Sequence, residues 1–282
     1  MHSQRSPLFC DISLAGRIER AEARLVAVAA EATWRQRTEG AGFVTPIAGG
    51  IASFVEEGSP FNKVAGLGFA GPPSAEELDA IERAFSARGA ATQIELAHLA
   101  DPEIGGQLTD RGYRLESFEN VLGRRLQGGL EPVAVPGVEI RRSGDDEFDE
   151  WLRVQADAVA QPDSQGVPWH EEFPRDVYER TERALAGTGL LRYSAYRGGI
   201  LAGGASFRIS DGIAQFTGAA TAPAHRRHGV QTALLSTRLA DAAAAGCTIA
   251  VITVQPGSRS QENSQRCGFD LLYTRAILVK RH

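Results

Sequence analysis

Residues 219–239 read AATAPAHRRHGVQTALLSTRL, and this stretch decides the fold. A small-residue strand end passes through a Pro turn into Arg226-Arg227-His228-Gly229, then directly into a helix whose apolar face holds Val230, Ala233, Leu234, Leu235 and Leu239. Such a turn aims several backbone N–H groups into one concavity at a helix N-terminus, with Gly229 permitting close approach and two arginines beside it. The pattern describes an anion site that fits a pyrophosphate. Taken alone, Arg-Arg-His-Gly reads better as solvated charges on an ordinary turn. The strand before it and the helix after it favour the anion site.

At these residues the chain resembles the GNAT N-acetyltransferases, whose pyrophosphate loop reads Gln/Arg-x-x-Gly-x-Gly/Ala. Arg226-Arg227-His228-Gly229-Val230-Gln231 occupies that pattern, with Gln231 where the family usually has Gly or Ala. A side chain there must point away from the phosphates or join them through its amide. The resemblance continues through a strand at 248–254, a loop at 255–258, a short helix around Asn263 and Gly268-Phe269 opening a final strand pair. It covers about half of the chain, roughly Val138 onward.

Outward from this core, composition bounds the rest. The chain has 282 residues, 43% hydrophobic and 23% charged, enough for two domains of ordinary size. No apolar run approaches the ~20 residues that span a bilayer, and the N-terminal stretch lacks a continuous signal-peptide core. A cytoplasmic protein with no membrane partner is expected. Cys10, Cys247 and Cys267 are odd in number and lack Cys-x-x-Cys spacing, so neither a disulfide framework nor a zinc site is indicated, and no metal is expected. Residues 1–136 hold 13 of the 30 basic and 18 of the 35 acidic residues, leaving 17 of each in the remainder. Without a basic excess on either half, a nucleic-acid partner is not expected.

In chain order the first half reads as a helix at 15–33, strands at 50–55 and 62–69, a helix opened by the Ser74/Glu77 capping box, a strand at 92–96, a helix near 101–109 and a strand from Tyr113 to Arg124. The second half reads as a strand at 137–142, helices at 147–158 and 176–186, strands at 191–196, 201–209 and 213–220, then the motif helix and closing strands. The expected fold is α/β (α+β): two GNAT-like units, each a mixed, mostly antiparallel sheet flanked by helices. The first, 1–130, is a degenerate GNAT-like domain, and the second, 137–282, is the N-acetyltransferase domain; Gln127–Pro136, rich in Gly and Pro, is the linker. In the first half the corresponding loop, residues 70–77, reads AGPPSAEE. It has no arginine and its carboxylates would repel pyrophosphate.

Acetyl transfer needs a held thioester, donors for the oxyanion, a neutral amine and a proton for the departing thiolate. The resemblance implies acetyl-CoA as cosubstrate, with Thr221, Ala222 and Pro223 pairing with pantetheine, an N–H near them polarising the acetyl carbonyl, and Arg226, Arg227, His228, Gly229, Val230, Gln231 and Thr232 around the pyrophosphate. Asn263 matches a family asparagine that commonly touches the pantetheine arm. Where many members carry a tyrosine as general acid this chain has Ser264, able at best to relay a proton through water, and Tyr273 is the nearest tyrosine in sequence. No Asp or Glu lies on the strand at 213–220. His170, Glu171 and Glu172 after Trp169, or His225 and His228 in the phosphate loop, are the other titratable candidates. The expected activity is N-acetylation of an amine on a small molecule or peptide. The alternative is a weak or inactive acyl-CoA-binding regulatory protein, and the sequence fixes neither the acceptor nor the oligomeric state.

Overall fold

The computed structural model describes residues 6–36, 42–127, 129–163 and 173–281. These form two compact units, each drawn from three stretches of chain: residues 6–14, 120–163 and 191–273 in one, and 15–119, 173–190 and 274–281 in the other. The boundary inside the chain therefore differs from a cut between 130 and 137. Strand β5 (Arg114–Arg125) changes unit after Glu119, and β11 (Asp270–Lys280) changes unit after Tyr273.

The motif-bearing unit has the strand order β6-β7-β8-β9-β10-β5, with β6 at Val138–Arg142, β7 at Leu191–Arg197, β8 at Ile200–Ser210, β9 at Ile213–Thr221 and β10 at Ile249–Val254. All neighbours are antiparallel except β9 with β10. Helix α4 (Phe148–Val159) packs on β8 and β9. Its Trp151 is fully buried, donating from Nε1 to the Tyr193 carbonyl at 3.0 Å, and it fits only because Gly204 on β8 has no side chain: a Cβ there would stand 2.2 Å from the indole nitrogen. Helix α6 (Val230–Ala244) buries Val230, Leu234, Leu235 and Leu239 in one core cluster with Tyr193, Phe207 and Phe216. A short helix α7 (Arg259–Arg266) follows β10, capped by the Ser258 hydroxyl, which accepts from the Gln261 N–H.

The other unit repeats the pattern with β1-β2-β3-β4-β11. Strand β2 (Gly50–Phe54) pairs antiparallel with both β1 (Phe43–Ile47) and β3 (Lys63–Ala65), β3 pairs parallel with β4 (Thr92–Ala97), and β4 pairs antiparallel with residues 275–280 of β11. Helices α1 (Ile12–Arg35), α2 (Ala75–Ser86), α3 (Glu103–Asp110) and α5 (Arg175–Ala186) belong here, apart from the first turn of α1. The Ser74/Glu77 capping box is present in both directions, at 3.2 and 2.8 Å. Buried Arg275 on β11 donates to Glu19 of α1 at 2.8 Å, with Glu95 and Glu119 at 3.7 and 3.6 Å. A buried guanidinium needs such carboxylates, and they fix the strand's register.

Each unit thus holds a mixed, mostly antiparallel set of strands, flanked by helices, within one eleven-stranded sheet. Each also closes on a strand segment from the other half of the chain: 120–125 beside β10, and 275–280 beside β4. Three expectations change. The strand over 62–69 shrinks to β3 because Gly66 and Gly68 take positive φ, at 74° and 89°. Edge strand β1, with Pro46 inside it, is an addition. The final strand pair after Gly268-Phe269 is the single strand β11, with Leu8 N–H donating to its first side chain, Asp270, at 2.8 Å. No described helix is long and apolar enough to cross a membrane.

Candidate functional site

The site is built where β9 and β10 part. Their parallel pairing runs from Ile213↔Ile249 to Phe216↔Ile252 and stops, while β9 continues to Thr221. From Thr217 onward one edge of β9 is therefore without its ladder partner, and its backbone groups can receive an extended ligand. On the other edge, register against β8 shifts from Ser206↔Thr217 to Gly204↔Ala220, so Gly218 and Ala219 stand opposite Ala205 alone. Gly218 has φ 55°. This bulge bends β9 away from the sheet at the opening.

Beyond Thr221 the chain makes a 3-10 turn over Pro223–His225. Ala222 N–H returns to the Ala202 carbonyl at 2.9 Å and its carbonyl accepts from His225 N–H at 2.8 Å. These bonds already engage Ala222 and shift the open edge upstream, toward Thr217–Thr221. Arg226 donates from Nε to the Thr221 carbonyl at 3.4 Å and from Nη2 to the carbonyls of Ala158, at 3.3 Å, and Gln161. Its side chain ties the loop to the end of α4. Arg227, at φ 64°, stays 63% exposed, 3.7 Å from Asp163, which leaves its charge beside the loop. Gly229 has φ 77° as N-cap of α6, and a Cβ there would meet Val135 at 2.7 Å. The expected linker therefore lies along the motif helix, and Val133 N–H donates to Ser236 at 3.0 Å.

Helix α6 starts without a capping side chain and without a carboxylate in its first turn. The N–H groups of Val230, Gln231 and Thr232 precede the first intrahelical bond, from Ala233 N–H to the Gly229 carbonyl at 3.0 Å. These donors and the helix dipole fit a phosphate-bearing ligand. Gln231 turns its amide back to the Thr221 hydroxyl at 2.8 Å. His228 is exposed and His225 half-buried.

The proton-transfer candidates are placed differently. Asn263 is half-buried on α7. Ser264 is fully buried and donates to the Ser260 carbonyl at 2.8 Å, so its hydroxyl is spent inside its own helix. Tyr273 is buried in β11 at 2% exposure. The Ser264 hydroxyl makes no described hydrogen bond to the β9–α6 loop. Trp169, His170, Glu171 and Glu172 lie outside the described residues. No group of three His, Cys, Asp or Glu side chains that could hold a metal gathers among the described residues.

Arg238 went unread in the sequence. It is wholly buried on α6, donating from Nη1 to the carbonyls of Ser206, at 2.9 Å, and Thr217, at 3.4 Å, and stacking 4.5 Å from the Phe216 ring. Burial pulls its pKa down to about 9, which leaves it cationic at neutral pH. The available signal was its spacing: Val230, Leu234 and Arg238 follow at i, i+4, i+8, which puts a charge on the apolar stripe. Likewise Gly218 inside a strand pattern is a bulge signal.

Residues 148–269 match the family model for the acetyltransferase (GNAT) family. The match covers less than half of the chain, and the fold is that of the GNAT acetyltransferases. Among solved structures, a GCN5-related N-acetyltransferase from Kribbella flavida is 19% identical, with 92% of this chain and 95% of that one covered at a TM-score of 0.63. A tandem GNAT protein from the clavulanic acid biosynthesis pathway is 14% identical, with 97% of each chain covered at a TM-score of 0.60. At these identities the likeness concerns the fold, including its doubling over the whole chain. No curated protein matches by sequence.

Proposed function

We propose that the chain is an acetyl-CoA-dependent N-acetyltransferase acting on an amine of a small molecule or peptide, with the cleft between β9 and β10 as its active site. The observation that carries this reading is the coincidence, within one unit, of an open strand edge from Thr217 to Thr221 and an uncapped helix start at Gly229–Thr232. One arrangement suits an extended pantetheine arm, the other its pyrophosphate. Asn263 stands on α7 as the candidate contact to the arm, and the first half takes no cosubstrate.

Bound acetyl-CoA supplies the activated acyl group. The protein's part is to hold it along β9, direct backbone N–H groups at the carbonyl oxygen, and admit a neutral amine whose nitrogen bonds the acyl carbon as the C–S bond breaks, the amine proton ending on the departing sulfur through solvent. Burial of Ser264 favours positioning over a dedicated side-chain acid, and it also keeps a second reading in view: an acyl-CoA-binding regulatory protein with little turnover.

A calorimetric titration with acetyl-CoA, paired with a thiol-release assay over a panel of small amines and peptides, tests both. One equivalent bound with amine-dependent thiol release is expected. Binding without release from any amine favours the regulatory reading, and absence of binding overturns both.

A further inference from the structure

One nitrogen of Arg238 reaches the carbonyls of both Ser206 and Thr217, which are paired across β8 and β9. Both carbonyls must then face the gap between those strands, since in the opposite orientation they would diverge beyond the reach of one atom. The Thr217 carbonyl also accepts from the Ser206 hydroxyl at 3.3 Å. No peptide bond in the described chain is cis, so the N–H of Gly218, on the same planar unit as the Thr217 carbonyl, points the opposite way. That direction is away from β8, toward the side where β10 has already parted from β9.

The arginine carries more charge than its surroundings answer. It is wholly buried, no carboxylate pairs with it among the described residues, its Nη2 has no hydrogen-bond partner there, and its acceptors are neutral carbonyls. An uncompensated buried cation is costly to keep, and a hydrophobic residue would fill the same volume at lower cost. Its position gives it a use. A cation donating to one end of a peptide unit polarises the whole unit and strengthens the N–H at the other end as a donor.

We propose that Arg238 is a positioning residue for acetyl transfer: through the Thr217–Gly218 peptide it aims and strengthens the Gly218 N–H as the donor to the thioester carbonyl. The bulge at Gly218 and Ala219 and the guanidinium below it then act as one device, the first turning the peptide and the second charging it. The proposal rests on acetyl-CoA binding in this cleft, and its test separates the two.

The probe is acetyl-CoA carrying carbon-13 at the thioester carbonyl, observed by isotope-edited infrared spectroscopy in complex with the full chain, with affinity measured by calorimetry on the same samples. The wild-type band is expected at lower wavenumber than in free acetyl-CoA. R238M, similar in volume and uncharged, is expected to lose most of that shift while affinity changes by less than about threefold. R238K should keep part of the shift, and S206A, which removes only the neutral donor, should keep most of it. A purely structural role for Arg238 would alter melting temperature without moving the band of the complex. A bound wild-type band at the free position, or an R238M band at the wild-type position, overturns the proposal. If R238M does not fold, S206A decides: loss of the shift with Arg238 in place is equally fatal. Absence of binding to the wild type removes the cosubstrate reading and this proposal with it.

Discussion

The β3–α2 and β9–α6 junctions are the same piece of architecture with opposite outcomes. Each leaves a strand that pairs parallel with the next strand in its sheet and enters a helix through a glycine-bearing loop. After β9 the pairing ends and the opening persists. After β3 it is closed: Gly68 donates to the Ala48 carbonyl at 3.2 Å, Asp101 N–H donates to the Gly68 carbonyl at 3.0 Å, and Leu67 and Ile104 are buried at 1% and 0% exposure. Helix α2 then spends its Glu77 N–H on the Ser74 hydroxyl and sets Glu76 and Glu77 in its first turn. The missing arginines are thus the smaller part of the difference. Backbone bonds, an isoleucine and a capping box close in one unit the kind of junction that the other leaves open.

The strongest way to break this comparison is to disturb both glycines. Gly68→Ala puts a Cβ 2.4 Å from Ile104 and 3.0 Å from Ala100 at φ 89°, inside a packed core. A loss of about 2–4 kcal/mol in urea unfolding is expected, from backbone strain plus overpacking. Gly229→Ala, at φ 77° with Val135 in the way, is expected to cost about 1–2 kcal/mol and to weaken acetyl-CoA more than about tenfold. The contact with Val135 puts stability as well as affinity at stake at Gly229. If Gly68→Ala also weakened acetyl-CoA while the fold held, the first junction would not be closed.

What was legible in the sequence was local. The capping box at Ser74, the glycine entry to α6 and the strand–loop–helix order are set by residues within a few positions of one another, and they stand as read. The strand exchange was not legible, because pairing of 120–125 with 249–254 and of 275–280 with 92–97 depends on partners far apart in the chain. The use of long side chains was equally hidden. Nothing near Arg226 in the sequence shows that the Ala158 and Gln161 carbonyls come to it, nor does anything near Ser264 show that its helix buries it.

The arginines sharpen the comparison at the next level of effect. Arg227→Glu reverses a charge on an exposed side chain, so affinity for acetyl-CoA should fall about tenfold, or ~1.4 kcal/mol, with the melting temperature nearly unchanged. Arg226→Lys keeps the charge and loses the fork that spans three carbonyls, so it should lower melting temperature and affinity together. The counterpart, Ala70→Arg, adds a cation to the first loop and should create no second binding event in calorimetry, since charge alone does not open that junction. Two equivalents of acetyl-CoA bound to this variant would show that charge was the deciding difference after all.

The smallest effect is expected at Gln231, where the loop departs from the family's Gly or Ala. Its amide donates to the Thr221 hydroxyl, so it joins the first turn of α6 to the end of β9 across the mouth of the opening. Gln231→Ala removes one half-buried neutral hydrogen bond, at a cost of about 0.5–1 kcal/mol, and recovers a few tenths of that through the better helix former. Its backbone N–H stays in place. If the phosphates are held by backbone groups and the amide only braces the loop, affinity should change by less than about threefold while stability falls slightly. A tenfold loss of affinity at unchanged stability would mean that the amide leaves Thr221 to bind the ligand, and a clear gain would mean that it stands in the ligand's way. Either result would move the difference between the two junctions from the backbone to a single side chain.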